Sequence, residues 1–101
     1  MNHAFNRLDD GKASLRILYY LYIGAELASR GQLEAALAES GVGRSAFYSS
    51  LGVLFELGLI FEVRKRVSGK NLLFTELTEK GDEVVKAIDE LYLVFEQMFP
   101  E

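Results

Sequence analysis

The sequence predicts a mainly α domain with one small β-hairpin, closed by a long C-terminal helix. Three observations predict it. Four segments carry apolar residues at helical spacing, and a single change of period to strict alternation follows Gly58. Two short alternating runs then flank Ser68-Gly69-Lys70-Asn71, whose residues favour a turn. The 101 residues contain no internal repeat and no linker-like composition, and the only proline is Pro100. That is the size of one domain, 1–101, able to bury roughly 65% of the surface its unfolded chain exposes. Half the residues are hydrophobic, which is high for so small a core and favours association of copies.

The first helix is expected over 12–24, with Asp9 and Asp10 upstream to complement its positive end. Leu15, Leu18, Tyr19 and Tyr22 fall at helical spacing, and Ile17, Tyr20, Leu21 and Ile23 cover most of the remaining circumference. Such a helix is expected to be buried on more than one side. The second, over 30–40, follows Ser29 and Gln32, a capping-box pair, and turns Leu33, Ala36 and Leu37 inward. Gly41 tolerates the positive φ that ends it. The third, over 43–57, starts only two or three residues later, so the two helices meet at a sharp angle, as a helix-turn-helix requires. The hairpin is expected over 59–77. Leu59, Phe61 and Val63 share one face of its first strand, Glu62, Arg64 and Arg66 share the other, and Leu73, Thr75 and Leu77 share a face of the second. Thr78 caps a last helix, 78–99. Helix, helix-turn-helix, hairpin, helix is the order of a winged helix.

The stretch GVGRSAFYSSLGVLFELGLI, the basic hairpin after it and LTEKG at Leu77–Gly81 resemble the winged helix-turn-helix transcriptional regulators, nearest to the PadR and MarR groups. The resemblance covers about Lys12 to Val85. It implies that 43–57 is a recognition helix, that the hairpin is a DNA-gripping wing and that the last helix serves dimerisation. Two positions depart from the family pattern. Gly43 stands where a Ser or Thr N-cap is common, and Ser49 and Gly52 stand where Arg or Lys often line the recognition face.

Read from its residues, helix three has a greasy side (Phe47, Leu51, Leu54, Leu57) and a polar side of Arg44, Ser45, Tyr48, Ser49 and Gly52. A helix enters a major groove about 12 Å wide only where its leading side chains are short or bond to base edges. Ser45, Ser49 and Gly52 meet that condition, Arg44 can reach a guanine or a phosphate, and Tyr48 a phosphate or a thymine methyl. The plainer reading makes these residues ordinary solvent-facing ones, with Gly52 admitting a closely packed neighbour. In the hairpin, Arg64, Lys65, Arg66 and Lys70 place four of eleven cations within seven residues. They can neutralise phosphates, or simply keep an edge ribbon soluble. The chain is acidic overall, with a formal net charge of −4. Yet 43–71 holds five cations against two anions, Glu56 and Glu62. That is a basic patch on an acidic body.

In the last helix Val84, Ile88, Leu91, Phe95 and Met98 form a heptad-like seam, with Val85, Tyr92 and Phe99 beside it. One stripe can cover the domain; the other needs a partner. Pairing of two copies through Tyr20, Ile88, Leu91, Tyr92, Phe95, Met98 and Phe99 is the expectation. A core helix of a monomer is the alternative. Tyr19, Tyr20, Tyr22, Tyr92 and Phe95 leave room for a lipophilic effector, with no residues assigned to it, although aromatic stripes at this spacing more commonly form core.

No residue pattern points to catalysis, a cofactor or a metal. Cysteine is absent and the one histidine, His3, lies in a polar stretch. GKAS, which begins at Gly11, lacks a phosphate-loop spacing. No apolar run reaches a bilayer-spanning length, MNHAFNRLDD lacks a leader's apolar core, and the segment from Glu76 carries eight anions against two cations, which anionic lipid repels. The expectation is a cytoplasmic homodimeric regulator that binds double-stranded DNA. The competing class is a winged-helix interaction module whose working face is acidic.

Overall fold

The computed structural model describes residues 13–23 and 28–100. The expected first and last residues of helix one, 12 and 24, and His3, Asp9 and Asp10 lie outside them. In chain order the elements are α1 (Ser14–Ile23), β1 (Ala28–Ser29), α2 (Arg30–Glu39), α3 (Arg44–Glu56), β2 (Ile60–Val67), β3 (Lys70–Leu77) and α4 (Glu79–Met98).

α2 begins with both halves of the capping box. The Gln32 N–H donates to Ser29 Oγ at 3.2 Å, and the Ser29 N–H donates to Gln32 Oε1 at 3.1 Å. Two orphan donors are thereby satisfied. Glycine ends both α2 and α3 in the same way. Gly41 (φ 91°) and Gly58 (φ 71°) take the left-handed conformation. The Val42 N–H then reaches the Leu37 carbonyl and the Leu59 N–H the Leu54 carbonyl, each at 3.0 Å. The Gly41 and Gly58 N–H groups bond the carbonyls of Ala38 and Phe55. These are Schellman endings, and the apolar residue after each glycine, Val42 or Leu59, is buried.

That ending corrects the expected pattern of the first strand. Leu59 is buried, but it still belongs to the helix ending and not to the alternation that starts at Ile60. Of the two strand residues expected to share its face, Phe61 is exposed and Val63 half-buried. β2 and β3 pair antiparallel from Ile60↔Leu77 to Val67↔Lys70. The loop between them is only Ser68-Gly69, with φ of 52° and 80°, the signature of a type I′ turn. Lys70 and Asn71, expected in the turn, are strand residues. β1 was not anticipated. It pairs Ala28 with Thr75 and Ser29 with Phe74, giving a three-stranded sheet of order β1-β3-β2.

The core joins Ile17, Leu18 and Leu21 of α1, Leu33 and Leu37 of α2, Phe47, Leu51 and Leu54 of α3, Leu59, Ile60 and Val85. α1 does not bury its whole circumference: Leu15 and Ile23 are exposed, and Tyr20 and Tyr22 pack partly against this core. A hydrogen bond missed by pattern reading anchors α1 to α3. The Ala13 N–H donates to the buried Ser50 Oγ at 2.8 Å.

LTEKG acquires a physical meaning here. The Thr78 side chain caps α4 by accepting from the Gly81 N–H at 3.0 Å and donates to the Gly58 carbonyl at 2.7 Å. The Thr78 N–H bonds the Leu59 carbonyl. Gly81 is buried so close to Leu59 that a Cβ would stand 2.0 Å from that carbonyl oxygen. α4 is thus fixed by its first turns. Val85 is buried and Val84 and Ile88 half-buried, but every described residue from Glu90 to Pro100 is exposed.

Candidate nucleic-acid interface

α3 is held by Phe47, Ser50, Leu51 and Leu54, all buried. The opposite face consists of Arg44, Ser45, Tyr48, Ser49 and Gly52, and all five are exposed. Nothing lies within 4 Å of a Cβ built on Gly52. A glycine here costs about 1 kcal/mol of helix propensity relative to Ala, and close packing does not account for it. Gly81, by contrast, is a packing glycine. Gly43 caps α3 with extended backbone (φ −70°, ψ 161°) and no side-chain bond, so the exposed N-terminal turn has no side chain over it from its cap.

Tyr48 is not a free-standing ring. It lies edge-on to the buried Phe47 ring, with centroids 5.0 Å apart and planes at 82°. The Arg44 guanidinium sits 5.7 Å from its centroid, within cation–π range. The Glu34 carboxylate of α2, together with burial, raises the phenol's pKa above its ordinary value. Glu34 Oε1 is itself buried with no hydrogen-bond partner. One helical turn earlier, Arg30 forms an ion pair with Glu62 of β2. Arg30 and Glu34 stand four residues apart on one face of α2, a spacing visible in the sequence. Their neighbours are set by how α2, α3 and β2 cross.

Register divides the wing's cations. Arg64 and Arg66 pair across from Leu73 and Asn71 and share a face with Glu62. Lys65 points to the other side, where it lies 3.7 Å from Glu76 and 5.8 Å from the centre of the Phe74 ring. Lys70 flanks the turn. Arg44, Arg64, Arg66 and Lys70 are exposed, and among the described residues no ion pair engages them. Lys65 is the committed one.

Of the residues expected at a dimer contact, Leu91, Tyr92, Phe95, Met98 and Phe99 are exposed at 54–66%. Leu93 and Val94 are exposed with them, and Phe95 and Phe99 stack at 5.8 Å. Ile88 is half-buried, and Tyr20 leans on the core. Between α1 and α4 a crevice of about 370 Å³ is lined by Leu15, Arg16, Tyr19, Val85, Ile88, Asp89 and Tyr92. There the Asp89 charge, together with burial, raises the Tyr19 phenol's pKa.

A helix-turn-helix ended by two Schellman glycines, followed by a two-stranded ribbon and a capped long helix, decides the architecture. The fold is a winged helix-turn-helix.

Solved structures agree. A PadR-like transcriptional regulator from Bacillus cereus superposes with a TM-score of 0.73 at 21% identity, covering 91% of each chain. A MarR-family transcriptional regulator from Porphyromonas gingivalis does so with 0.69 at 22%, covering 94% of this chain and 86% of that one. The circadian clock associated protein Pex from Anabaena gives 0.63 at 16%, covering 88% and 81%. No protein-family model matches the chain, and no curated protein does. At such identities the likeness establishes the winged helix and leaves its task to the chemistry of the surface. No helix among the described residues is long and apolar enough to cross a membrane.

Proposed function

We propose that this winged helix is a sequence-specific DNA-binding transcriptional regulator that works as a homodimer. α3 enters the major groove and the wing lies on the adjacent phosphate backbone. The observation that carries the reading is Gly52: a glycine in the middle of an exposed helical face with open space above it. Two serines, an arginine and a ring-supported tyrosine surround it. Close approach to another surface explains that choice where packing does not. Exposed Arg64, Arg66 and Lys70 supply the cations that a phosphate backbone requires, while the remainder of the chain is acidic. The PadR-like and MarR-family names of the structural neighbours favour the same task.

The homodimer rests on the second half of α4. Seven large apolar side chains from Leu91 to Phe99 face solvent in one copy, an arrangement that pairing about a two-fold axis removes. Such a dimer presents two recognition helices to two half-sites. Selection from a randomised duplex library is the test. The proposal expects enrichment of an inverted repeat with half-sites about 10 base pairs apart or a multiple of that. Recovery of the input distribution, with no enriched motif, contradicts it and shifts attention to a protein partner for the acidic surface.

A further inference from the structure

We infer that the ion pair between Arg30 of α2 and Glu62 of β2 is a positioning device for DNA contact: it ties the helix-turn-helix to the wing and fixes how the Arg64 and Arg66 face lies relative to α3. The inference rests on the DNA-binding reading above and deepens it.

Glu62 is the one anion in 60–71, a stretch that holds four cations. It lies on the same face of β2 as Arg64 and Arg66, where an anion is unfavourable for a surface that seeks phosphate. Its side chain is nevertheless only 18% exposed, and it is engaged: Arg30 Nη2 donates to Glu62 Oε1. The strand register shows what this contact spans. Ala28, Thr75 and Glu62 stand in one row across β1, β3 and β2, and Thr75 in the middle of that row is buried. Arg30, two residues after Ala28, thus reaches past the central strand to the far one. The Lys65–Glu76 pair lies within the hairpin and the Lys86–Asp82 pair within α4. Arg30–Glu62 instead joins two units of the fold.

The wing needs such a tether. Ile60 at its base is buried, but from Phe61 to Val67 no residue of β2 is. Arg66 lies four residues, about 13 Å, along the strand beyond Glu62. A small rotation of the ribbon at the pair is therefore enlarged at the arginines. A ribbon free to turn loses that freedom when it grips a backbone, and holding it beforehand lowers the cost of binding.

The sign of one substitution separates positioning from charge. Glu62→Ala removes an anion from the DNA side, so charge alone makes binding tighter. Loss of the tether makes it weaker, by about three-fold per half-site and about ten-fold for a dimer, from loss of a partly exposed ion pair. Glu62→Gln keeps an acceptor for the Arg30 guanidinium without the charge, and is expected to restore binding relative to Glu62→Ala. A second readout needs no DNA. Amide residual dipolar couplings of β2 and β3 are expected to fit one orientation frame with those of α2 and α3 in the unaltered protein and in Glu62→Gln, and to depart from it in Glu62→Ala. Arg30→Met breaks the pair from the other side and is expected to depart likewise, so the test does not hang on one variant. Thermal melts exclude unfolding. If the unaltered protein binds duplex and Glu62→Ala binds equally or more tightly, or the couplings of Glu62→Ala and Arg30→Met keep the one frame, the positioning role is overturned and the DNA reading stands. If the unaltered protein binds no duplex, both fall.

Discussion

Removing the two arginines on one face of the wing, Arg64→Ala with Arg66→Ala, reports directly on how this surface meets DNA. Four cations of the patch are exposed, Arg44, Arg64, Arg66 and Lys70, whereas Lys65 is committed to Glu76. If three of the four reach phosphates in each protomer, a dimer neutralises about six, and log K falls against log salt with a slope near −5. Between about 50 and about 200 mM salt, affinity then drops on the order of a thousand-fold. The double substitution leaves about two phosphate contacts per dimer, a slope near −2 and a loss of only about ten-fold over the same range. Neither arginine belongs to the core, so the melting temperature is expected to stay put. Fluorescence anisotropy on a labelled duplex gives both slopes. An unchanged slope in the double mutant refutes the placement of the wing on the backbone, whatever the absolute affinity. Lys65→Ala is the internal control: its pairing predicts a much smaller change than either arginine gives.

Other residues test other parts of the account. Gly52→Leu is expected to leave thermal stability unchanged or raised, because the space is open and helix propensity improves by about 0.8 kcal/mol, while binding falls about ten-fold or more by blocking groove approach; equal binding contradicts the use of that face. Gly81→Ala forces a Cβ against the Leu59 carbonyl, and overpacking of about 2 kcal/mol lowers the melting temperature on the order of 10 °C; an unchanged melt shows that the contact relaxes freely. Leu91→Lys with Phe95→Lys is expected to convert a dimer to a folded monomer in sedimentation velocity, and a monomeric unaltered protein contradicts pairing through α4.

Local chemistry made much of the fold legible. Ser29 with Gln32, Thr78 before α4, and Gly41 as a helix stop act within a few residues, where the chain's own hydrogen bonds decide the outcome. The two faces of α3 were legible for the same reason, since helical period alone separates Phe47, Leu51 and Leu54 from Ser45, Ser49 and Gly52. β1 was not, because two residues paired to β3 carry no alternation to detect. Alternation alone groups Leu59 with Phe61 and Val63 on one strand face, but a Schellman ending holds Leu59 outside the strand, which starts at Ile60. At the candidate interface, the residue types of α3 and the wing were readable. Which cation is engaged by Glu76, and how Arg30 reaches Glu62, depend on register and on the crossing of α2 with the wing. Those are tertiary facts, and no spacing along the chain encodes them singly.

The most direct test of the central claim is the binding of the unaltered protein to a random labelled duplex of about 30 base pairs across a salt series. A basic patch on a winged helix predicts binding at low salt with a slope near −5. Absence of binding even at low salt contradicts the DNA-binding account and leaves a protein partner for the acidic surface as the reading to pursue.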